Sequence, residues 1–202
     1  MEAPGVRDGS DCMTVPNQLT ILRLILTLPF VAALSLQFPG AKILALGLFV
    51  LSSITDFADG YIARRFNQIT DFGKLMDPLV DKIMTMSAFI CLISLGSIPA
   101  WAVIVILSRE FLITGLRLIA ASRGKVLAAE RLGKLKTVSQ IATILYWLLL
   151  VAVLEQLGSA IAPPIVTSLN IVGLGLVLFT VALTLWSGIS YFAKNWDLVS
   201  DM

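Results

Sequence analysis

The sequence has no histidine and only two cysteines, Cys12 and Cys91. The absence of imidazole removes the commonest general base and excludes zinc coordination by histidine. Cys12 lies in a polar tail and Cys91 in an apolar run, so the pair indicates neither a disulfide framework nor a zinc site. Charged residues are also few, at 14% of the 202 residues. Any acid–base chemistry must therefore rely on a small set of other side chains.

Apolar side chains are in excess, at 57% of the chain, whereas soluble proteins contain about 45–50%. A helix that crosses a bilayer needs about 20 mostly apolar residues, and six stretches meet this requirement. The sequence therefore predicts an all-α integral membrane protein, with a disordered polar tail at residues 1–13 and one six-helix transmembrane domain at residues 14–202. The predicted spans are Leu19–Gln37, Ile43–Phe66, Asp77–Leu95, Pro99–Ala121, Leu135–Leu154 and Ile165–Phe192.

The basic residues predict the orientation of these helices, because Lys and Arg are enriched in cytoplasmic loops. The opposite side of the predicted bundle carries Lys42 and little else. Both chain termini are therefore expected in the cytoplasm. The basic residues are scattered without interleaved aromatic residues, which does not indicate nucleic acid binding. Those on the predicted cytoplasmic side are Arg7, Arg64, Arg65, Lys74, Arg123, Lys125, Arg131, Lys134, Lys136 and Lys194.

Four aspartates, Asp56, Asp59, Asp77 and Asp81, lie in or beside the second and third predicted spans. A charged side chain within a bilayer costs about 2.5–3.5 kcal/mol, so four of them need compensation. The first two are three residues apart and the last two are four apart, so each pair shares a helix face, and a short loop makes the two helices antiparallel neighbours. Carboxylates are the preferred ligands of Mg²⁺ and Mn²⁺. Four of them can hold two ions, an arrangement suited to displacement at phosphorus.

The residues between the aspartates fit such a site. Gly60 and Ala63 follow Asp56 by four and seven positions, so their small side chains lie on its helix face. Arg64 can pair with a phosphate. Gly73 is expected in the loop between the two helices, where it permits a tight turn or a close approach of a ligand.

Two local points stay open at the sequence level. Pro78 directly follows Asp77, which suits either a helix N-cap followed by its first residue or a kinked helix that continues through the proline. Asn17 and Thr20 near the start of the first span either cap that helix or contact a polar ligand.

The acidic cluster has other interpretations. The aspartates could form interfacial ion pairs with Arg64, Arg65, Lys74 and Lys82, but four acids at these spacings favour a functional site. A cation or proton-coupled transporter would also use intramembrane carboxylates. The acids lie near one membrane face, however, and the sequence has no second acidic cluster or inverted repeat of the kind that transporters often have.

The stretch from Asp56 to Asp81 resembles the signature of the CDP-alcohol phosphotransferase family, D-x2-D-G-x2-A-R-x8-G-x3-D-x3-D. All eight positions match: Asp56, Asp59, Gly60, Ala63, Arg64, Gly73, Asp77 and Asp81. The resemblance implies the six-helix fold of that family, a homodimer and a divalent-metal site open to the cytoplasm. It implies that the first three acids bind metal, and that Asp81 is the general base and also contacts the second ion. It further implies contacts with the CDP-diacylglycerol donor by Asn17, Thr20, Gly60, Ala63, Arg64, Thr70 and Gly73.

The acceptor must be recognised outside this signature. Arg109 and Arg117 are eight residues apart in SREFLITGLR, near one helix face, and Lys134 and Lys136 lie in RLGKLKT. Cations that converge from two helices predict a pocket for an anion, most simply a phosphate. The alternative is that these residues only orient the chain in the membrane. Glu110 could partly neutralise Arg109, although adjacent helical residues do not face each other.

The flanking stretches resemble the members of the family that use glycerol 3-phosphate as acceptor. The stretches are PNQLTILR, RRFNQITDFG, SREFLITGLR, GKLKT and TLWSGISYF. The resemblance implies phosphatidyl transfer from CDP-diacylglycerol to the primary hydroxyl of sn-glycerol 3-phosphate in a bacterial inner membrane. Arg109, Arg117, Lys134 and Lys136 would then hold the acceptor phosphate. Inositol phosphate and a second phosphatidylglycerol are the alternative acceptors.

Overall fold

The computed structural model describes residues 15–36, 38–66, 71–122 and 131–195, and side chains at 22–36, 38–55, 82–121, 132–158 and 160–195. These residues form helices and turns and no β-strand, so the all-α prediction is confirmed for them. Six α-helices follow one another, with a 3-10 turn at Gly158–Ala160 before the last. The helices are α1 Val15–Ser35, α2 Ala41–Phe66, α3 Asp71–Ser94, α4 Ala100–Ser122, α5 Arg131–Leu157 and α6 Pro163–Lys194.

The prediction for α3 was wrong in one respect. The helix begins at Asp71 and not at Asp77, so Gly73 lies within α3 and not in a loop. The Asp77–Pro78 pair is therefore not a helix start, and the alternative of a helix continuing through the proline is the correct one. Acidic residues favour a helix N-terminus because they complement its dipole, which allows α3 to start in the polar stretch before the apolar run.

The helices close into a ring. In order around the ring, α1 packs against α2, α2 against α5, α5 against α6, α6 against α4, α4 against α3, and α3 against α1. Contacts between α3 and α5 cross the interior. Helix α3 therefore contacts α1, α2, α4 and α5.

The interior of the ring is an apolar core. Phe30 of α1 and Phe49 of α2 are fully buried with their ring centroids 6.0 Å apart. Thr27 of α1 donates a hydrogen bond to Arg23 O at 3.0 Å, and its Oγ1 lies 3.7 Å from Met84 Sδ of α3, which places Thr27 level with Met84. Phe89 and Ile144 extend the same core toward α5.

The turn between α3 and α4 fixes the direction of α4. Gly96 has a φ of +69°, and its N–H donates to Ile93 O at 2.9 Å while Ser97 N–H donates to Leu92 O at 3.0 Å. This is a Schellman motif, in which glycine adopts the left-handed conformation that ends the helix. The chain then reverses and α4 begins at Ala100.

Many apolar side chains face outward. Leu28 of α1 and Trp186 and Ile189 of α6 are about 70% exposed, at 72%, 68% and 70%. Among the described residues, two helical segments, Leu132–Leu157 and Pro163–Lys194, are long and apolar enough to cross a membrane. In the second, 22% of the most apolar stretch is buried, whereas the core helix of a soluble protein would be mostly buried. These observations favour a membrane protein, and the prediction of six spans stays a prediction.

We expect Gly173→Ala to destabilise the protein. Gly175→Ala, two residues further along α6, should leave the stability unchanged. A Cβ at Gly173 would lie 2.6 Å from Trp147 Cζ2, whereas a Cβ at Gly175 has no atom within 4 Å. Overpacking of this kind costs about 1–3 kcal/mol. Thermal unfolding of the two variants in the same detergent measures the difference, and equal melting temperatures would contradict the packing.

Candidate active site

The four aspartates of the signature lie on the backbones of two consecutive helices. Asp56 and Asp59 are one turn apart in α2, and Asp77 and Asp81 are one turn apart in α3. Their side chains are outside the described part of the structure, and the side chains that are described include no cluster of three or more metal-binding residues. Four carboxylates on neighbouring helices are a donor set that fits a hard divalent cation. The predicted metal ligands stay a prediction.

The predicted donor contacts lie close to these aspartates in the chain. Gly60, Ala63 and Arg64 belong to α2 and Gly73 to α3, and all four side-chain positions are outside the described side chains. Thr70 lies outside the described residues altogether. Asn17 and Thr20 fall in the first turns of α1, which packs against both α2 and α3.

Arg23 is a buried cation that the sequence analysis did not single out. Its side chain is 7% exposed, and it lies one turn before Thr27 in α1. Short connections make consecutive helices antiparallel, so α1 and α3 run in the same direction. Since Thr27 is level with Met84, Arg23 is level with the turn of α3 that contains Asp81. The main chain of this buried arginine is thus at the depth of the predicted base.

A polar cavity of about 390 Å³ lies between α3, α4 and α5. All four predicted acceptor-binding residues line it, namely Arg109 and Arg117 from α4 and Lys134 and Lys136 from α5. Lys82 of α3 adds a fifth basic residue. The volume is in the range of small-molecule sites, which is about 300–1,000 Å³. The spacing of eight on α4 therefore brings the two arginines to one cavity, as the helical period requires.

Glu110 is the acidic residue among the described cavity-lining side chains, and it is buried at 7% exposure. Lys136 Nζ donates a hydrogen bond to Glu110 Oε1, and Gln140 Nε2 donates to the same oxygen at 3.4 Å. Lys82 Nζ lies 3.4 Å from Glu110 Oε2. Arg109 Nη1 lies 3.6 Å from Glu110 Oε1, so the adjacent residues interact despite their different helical directions. We call Glu110, Lys82, Arg109, Lys136 and Gln140 the Glu110 cluster.

Helix α6 positions the two arginines. Arg109 Nη2 donates to Ser187 Oγ at 2.7 Å, and a Cβ at Gly188 would lie 3.1 Å from Arg109 Cγ. Arg117 Nε donates to Tyr191 Oη at 3.2 Å, with its guanidinium carbon 5.4 Å from the centre of the tyrosine ring. A guanidinium stacked on an aromatic ring and bonded through Nε keeps its outer nitrogens available for an anion.

The basic residues of the cavity fall into two groups. Lys82, Arg109 and Lys136 converge on Glu110. Arg117 and Lys134 have no acidic partner among the described side chains, and Lys134 is exposed to the cavity. With five cations and one carboxylate, the described lining has a formal excess of four positive charges. A lining of this charge favours an anion as the ligand, most simply a phosphate.

The sequence matches the CDP-alcohol phosphatidyltransferase family over residues 13–189. The chain belongs to the CDP-alcohol phosphatidyltransferase family. This confirms the resemblance inferred from the aspartate signature.

Curated relatives within the family cover nearly the whole chain. A Bacillus subtilis protein named CDP-diacylglycerol--glycerol-3-phosphate 3-phosphatidyltransferase is 38% identical over 195 residues, covering 91% of this chain and 95% of the relative. A Rickettsia felis protein of the same name is 37% identical, covering 88% and 93%. A Mycobacterium tuberculosis protein named "Probable phosphatidylglycerophosphate synthase" is 34% identical, covering 88% and 79%.

The sequence of this CDP-alcohol phosphatidyltransferase did not indicate one cavity residue, Lys82, or the two α6 residues that bond the arginines, Ser187 and Tyr191. Lys82 was considered only as an ion-pair partner of the aspartates, and Tyr191 and Ser187 were not assigned a role. The signal for Lys82 was present, because Glu110 lies in an apolar helix and an acid there needs a cation. The two hydroxyl groups gave no such signal, since hydroxyl residues are common in membrane helices.

Proposed function

We propose that the protein transfers the phosphatidyl group of CDP-diacylglycerol to the primary hydroxyl of sn-glycerol 3-phosphate. The products are phosphatidylglycerophosphate and CMP, and the reaction belongs to phospholipid biosynthesis. The observation that carries the proposal is the cavity with five basic residues between α3, α4 and α5. The names of the Bacillus subtilis and Rickettsia felis relatives support the same donor and acceptor.

The acceptor phosphate binds in the basic cavity. Arg117 and Lys134, which have no acidic partner among the described side chains, provide the direct charge-assisted hydrogen bonds. Arg109 and Lys136, which already contact Glu110, contribute positive charge and complete the phosphate site. The glycerol hydroxyl then points out of this cavity toward α3, the helix that carries Lys82 and Asp81.

The aspartates act on the donor and on the proton. Asp56, Asp59 and Asp77 would hold two Mg²⁺ or Mn²⁺ ions, with Asp81 at the second ion. When bound, the ions neutralise pyrophosphate charge and make CMP a better leaving group. Asp81 accepts the proton of the acceptor hydroxyl. The hydroxyl oxygen forms its bond to the phosphatidyl phosphorus as the bond between that phosphorus and CMP breaks. In a chain without histidine, a carboxylate is the most available base.

The proposed setting is a bacterial inner membrane. The chain crosses it six times, with both termini and the active site in the cytoplasm and with residues 1–13 as a polar tail. Support comes from the outward-facing apolar side chains of α1 and α6 and from the basic residues gathered around the cavity. A homodimer is proposed from the family resemblance. The six-helix transmembrane domain at residues 14–202 would be the catalytic unit.

Purified protein with CDP-diacylglycerol, Mg²⁺ and glycerol 3-phosphate should release CMP and form phosphatidylglycerophosphate in detergent, without any membrane gradient. The expectation follows from the cavity chemistry and from the acid cluster. Lipid products are identified by mass spectrometry across a panel of acceptors that includes inositol phosphate and phosphatidylglycerol. Product formed only with inositol phosphate would overturn the assignment of the acceptor, and absence of CMP release would argue against the transferase itself.

Asp81→Asn should lower the rate of transfer by about 10²–10⁴-fold, the usual contribution of a general base. Glu155→Gln is the matched control, since it makes the same carboxylate-to-amide change at an exposed residue near the end of α5. The measurement is initial CMP release at saturating substrates. A folded Asp81→Asn protein with near wild-type transfer would refute the role of the base. Asp56→Asn with unchanged metal affinity would count against the ligand assignment.

Arg117→Met and Lys134→Met should each raise the KM for glycerol 3-phosphate about 10- to 150-fold, because a hydrogen bond to a charged group contributes about 1.5–3 kcal/mol. The KM for CDP-diacylglycerol should stay within about twofold of the wild-type value, since the two residues contact the acceptor phosphate and not the donor. Lys42→Met is the control, because Lys42 bonds Leu34 O at the far end of α1. An equal rise in both KM values would show that the cavity is not specific to the acceptor.

A further inference from the structure

A buried carboxylate in a cavity built for an anion needs an explanation. Glu110 repels the proposed acceptor phosphate, and yet it lies among the cations that would bind it. Charge neutralisation alone is a weak reason, because a buried ion pair contributes little net stability compared with apolar side chains of similar size. A carboxylate at this place is better explained by what it holds in position.

We propose that Glu110 is a positioning residue that sets the acceptor site against Asp81 by holding Lys82. This inference rests on the proposed function, and it assigns to Glu110 a role in the geometry of the transfer and no contact with the substrate. The Glu110 cluster joins three helices, since Lys82 comes from α3, Arg109 and Glu110 from α4, and Lys136 and Gln140 from α5.

Lys82 is held by two groups of α4. Its Nζ lies 3.4 Å from Glu110 Oε2 and donates a hydrogen bond to Thr114 Oγ1. Thr114 in turn donates to the main-chain carbonyl of Glu110 at 2.7 Å. The ammonium of Lys82 is therefore fixed on one turn of α4 by the side chain of Glu110 and by a hydroxyl that is itself oriented.

Fixing Lys82 fixes the turn of α3 that contains Asp81. Asp81 directly precedes Lys82, and successive residues of a helix differ in direction by a constant angle. When Lys82 is tied to α4, the rotation of α3 about its axis is set at this level, and so is the position of the Asp81 main chain. The same carboxylate holds Lys136, so one residue aligns the acid-bearing helix with the acceptor cavity.

The cavities beside the cluster support this role. The basic cavity is next to a second space of about 80 Å³, and the two share part of their lining. Lys82 and Glu110 line both. Lys82 and Glu110 thus form part of the wall between the two spaces, and on this proposal their position sets how far the acceptor hydroxyl stands from α3.

The test is a double-mutant cycle with Glu110→Gln and Lys82→Met. Glu110→Gln should lower kcat about tenfold or more, because a misplacement of about 1 Å can cost up to about 10²-fold. The KM for CDP-diacylglycerol should change less than about twofold. If Glu110 acts through Lys82, the double variant should be no slower than the slower single variant, within about twofold. Independent, multiplying effects would overturn the inference.

Two further variants separate position from charge and from folding. Glu110→Asp keeps the charge and shortens the side chain, so its kcat should fall between those of the wild type and Glu110→Gln. Glu155→Gln, at an exposed site near the end of α5, should leave kcat within about twofold. Glu110→Gln leaves the buried ammonium of Lys136 without its carboxylate, and this variant could fail to fold. In that case Lys136→Met is compared with the double variant Glu110→Gln/Lys136→Met, since both lack this ammonium. Equal kcat values in that pair would also refute the inference.

The wild-type reaction separates a failure of the proposed acceptor from a failure of the proposed role of Glu110. No transfer to glycerol 3-phosphate by the wild type would refute the proposed acceptor, and the cycle would then be measured with whichever acceptor of the panel supports CMP release. If the wild type transfers to glycerol 3-phosphate but the effects of Glu110→Gln and Lys82→Met on kcat multiply, only the role of Glu110 is refuted.

Discussion

A charge that is removed from water needs an opposite charge close by, and in this bundle that constraint is met at Glu110. Coulomb attraction is stronger away from bulk water, and so is the penalty for an unpaired ion. Lys136, at 4% exposure in the wall of α5, pairs with the carboxylate on α4. The pairing brings α3, α4 and α5 to a common point and leaves the polar cavity above it.

The ring arrangement gives each helix a distinct relation to this point. Helix α3 carries two of the signature aspartates and also contributes Lys82 to the cavity, so it belongs to the proposed donor and acceptor sites at once. Helix α6 packs against α4, and its Ser187 and Tyr191 accept hydrogen bonds from Arg109 and Arg117. The absence of a side chain at Gly188 leaves room for the stem of Arg109. The cavity is thus supported by side chains that would not touch an acceptor.

The sequence predicted the helices and much of the cavity. Six apolar runs correspond to the six helices of the described residues, and the spacing of Arg109 and Arg117 with the nearby Lys134 and Lys136 predicted a basic pocket. The early start of α3 was missed because hydropathy marks where a helix becomes apolar, and not where its backbone hydrogen bonds begin.

The partners of the cavity residues could not be derived from local patterns. Whether Glu110 pairs with Arg109, Lys82 or Lys136 depends on which helices are neighbours, and the ring order is not encoded in any single segment. The resemblance of the signature supplied the chemistry of the aspartates, whose side chains lie outside the described structure. The local spacing alone favoured a metal site over interfacial ion pairs, but it did not assign a separate role to each aspartate.

The charge excess of the cavity has a consequence for how an acceptor arrives. At an ionic strength of 0.1 M, attraction between charges fades over about 10 Å, roughly the diameter of one helix. Four excess positive charges on the described lining therefore draw an anion only once it is already near the opening. The rate at which small phosphorylated molecules enter the cavity therefore depends more on their local concentration at the membrane surface than on long-range electrostatic attraction.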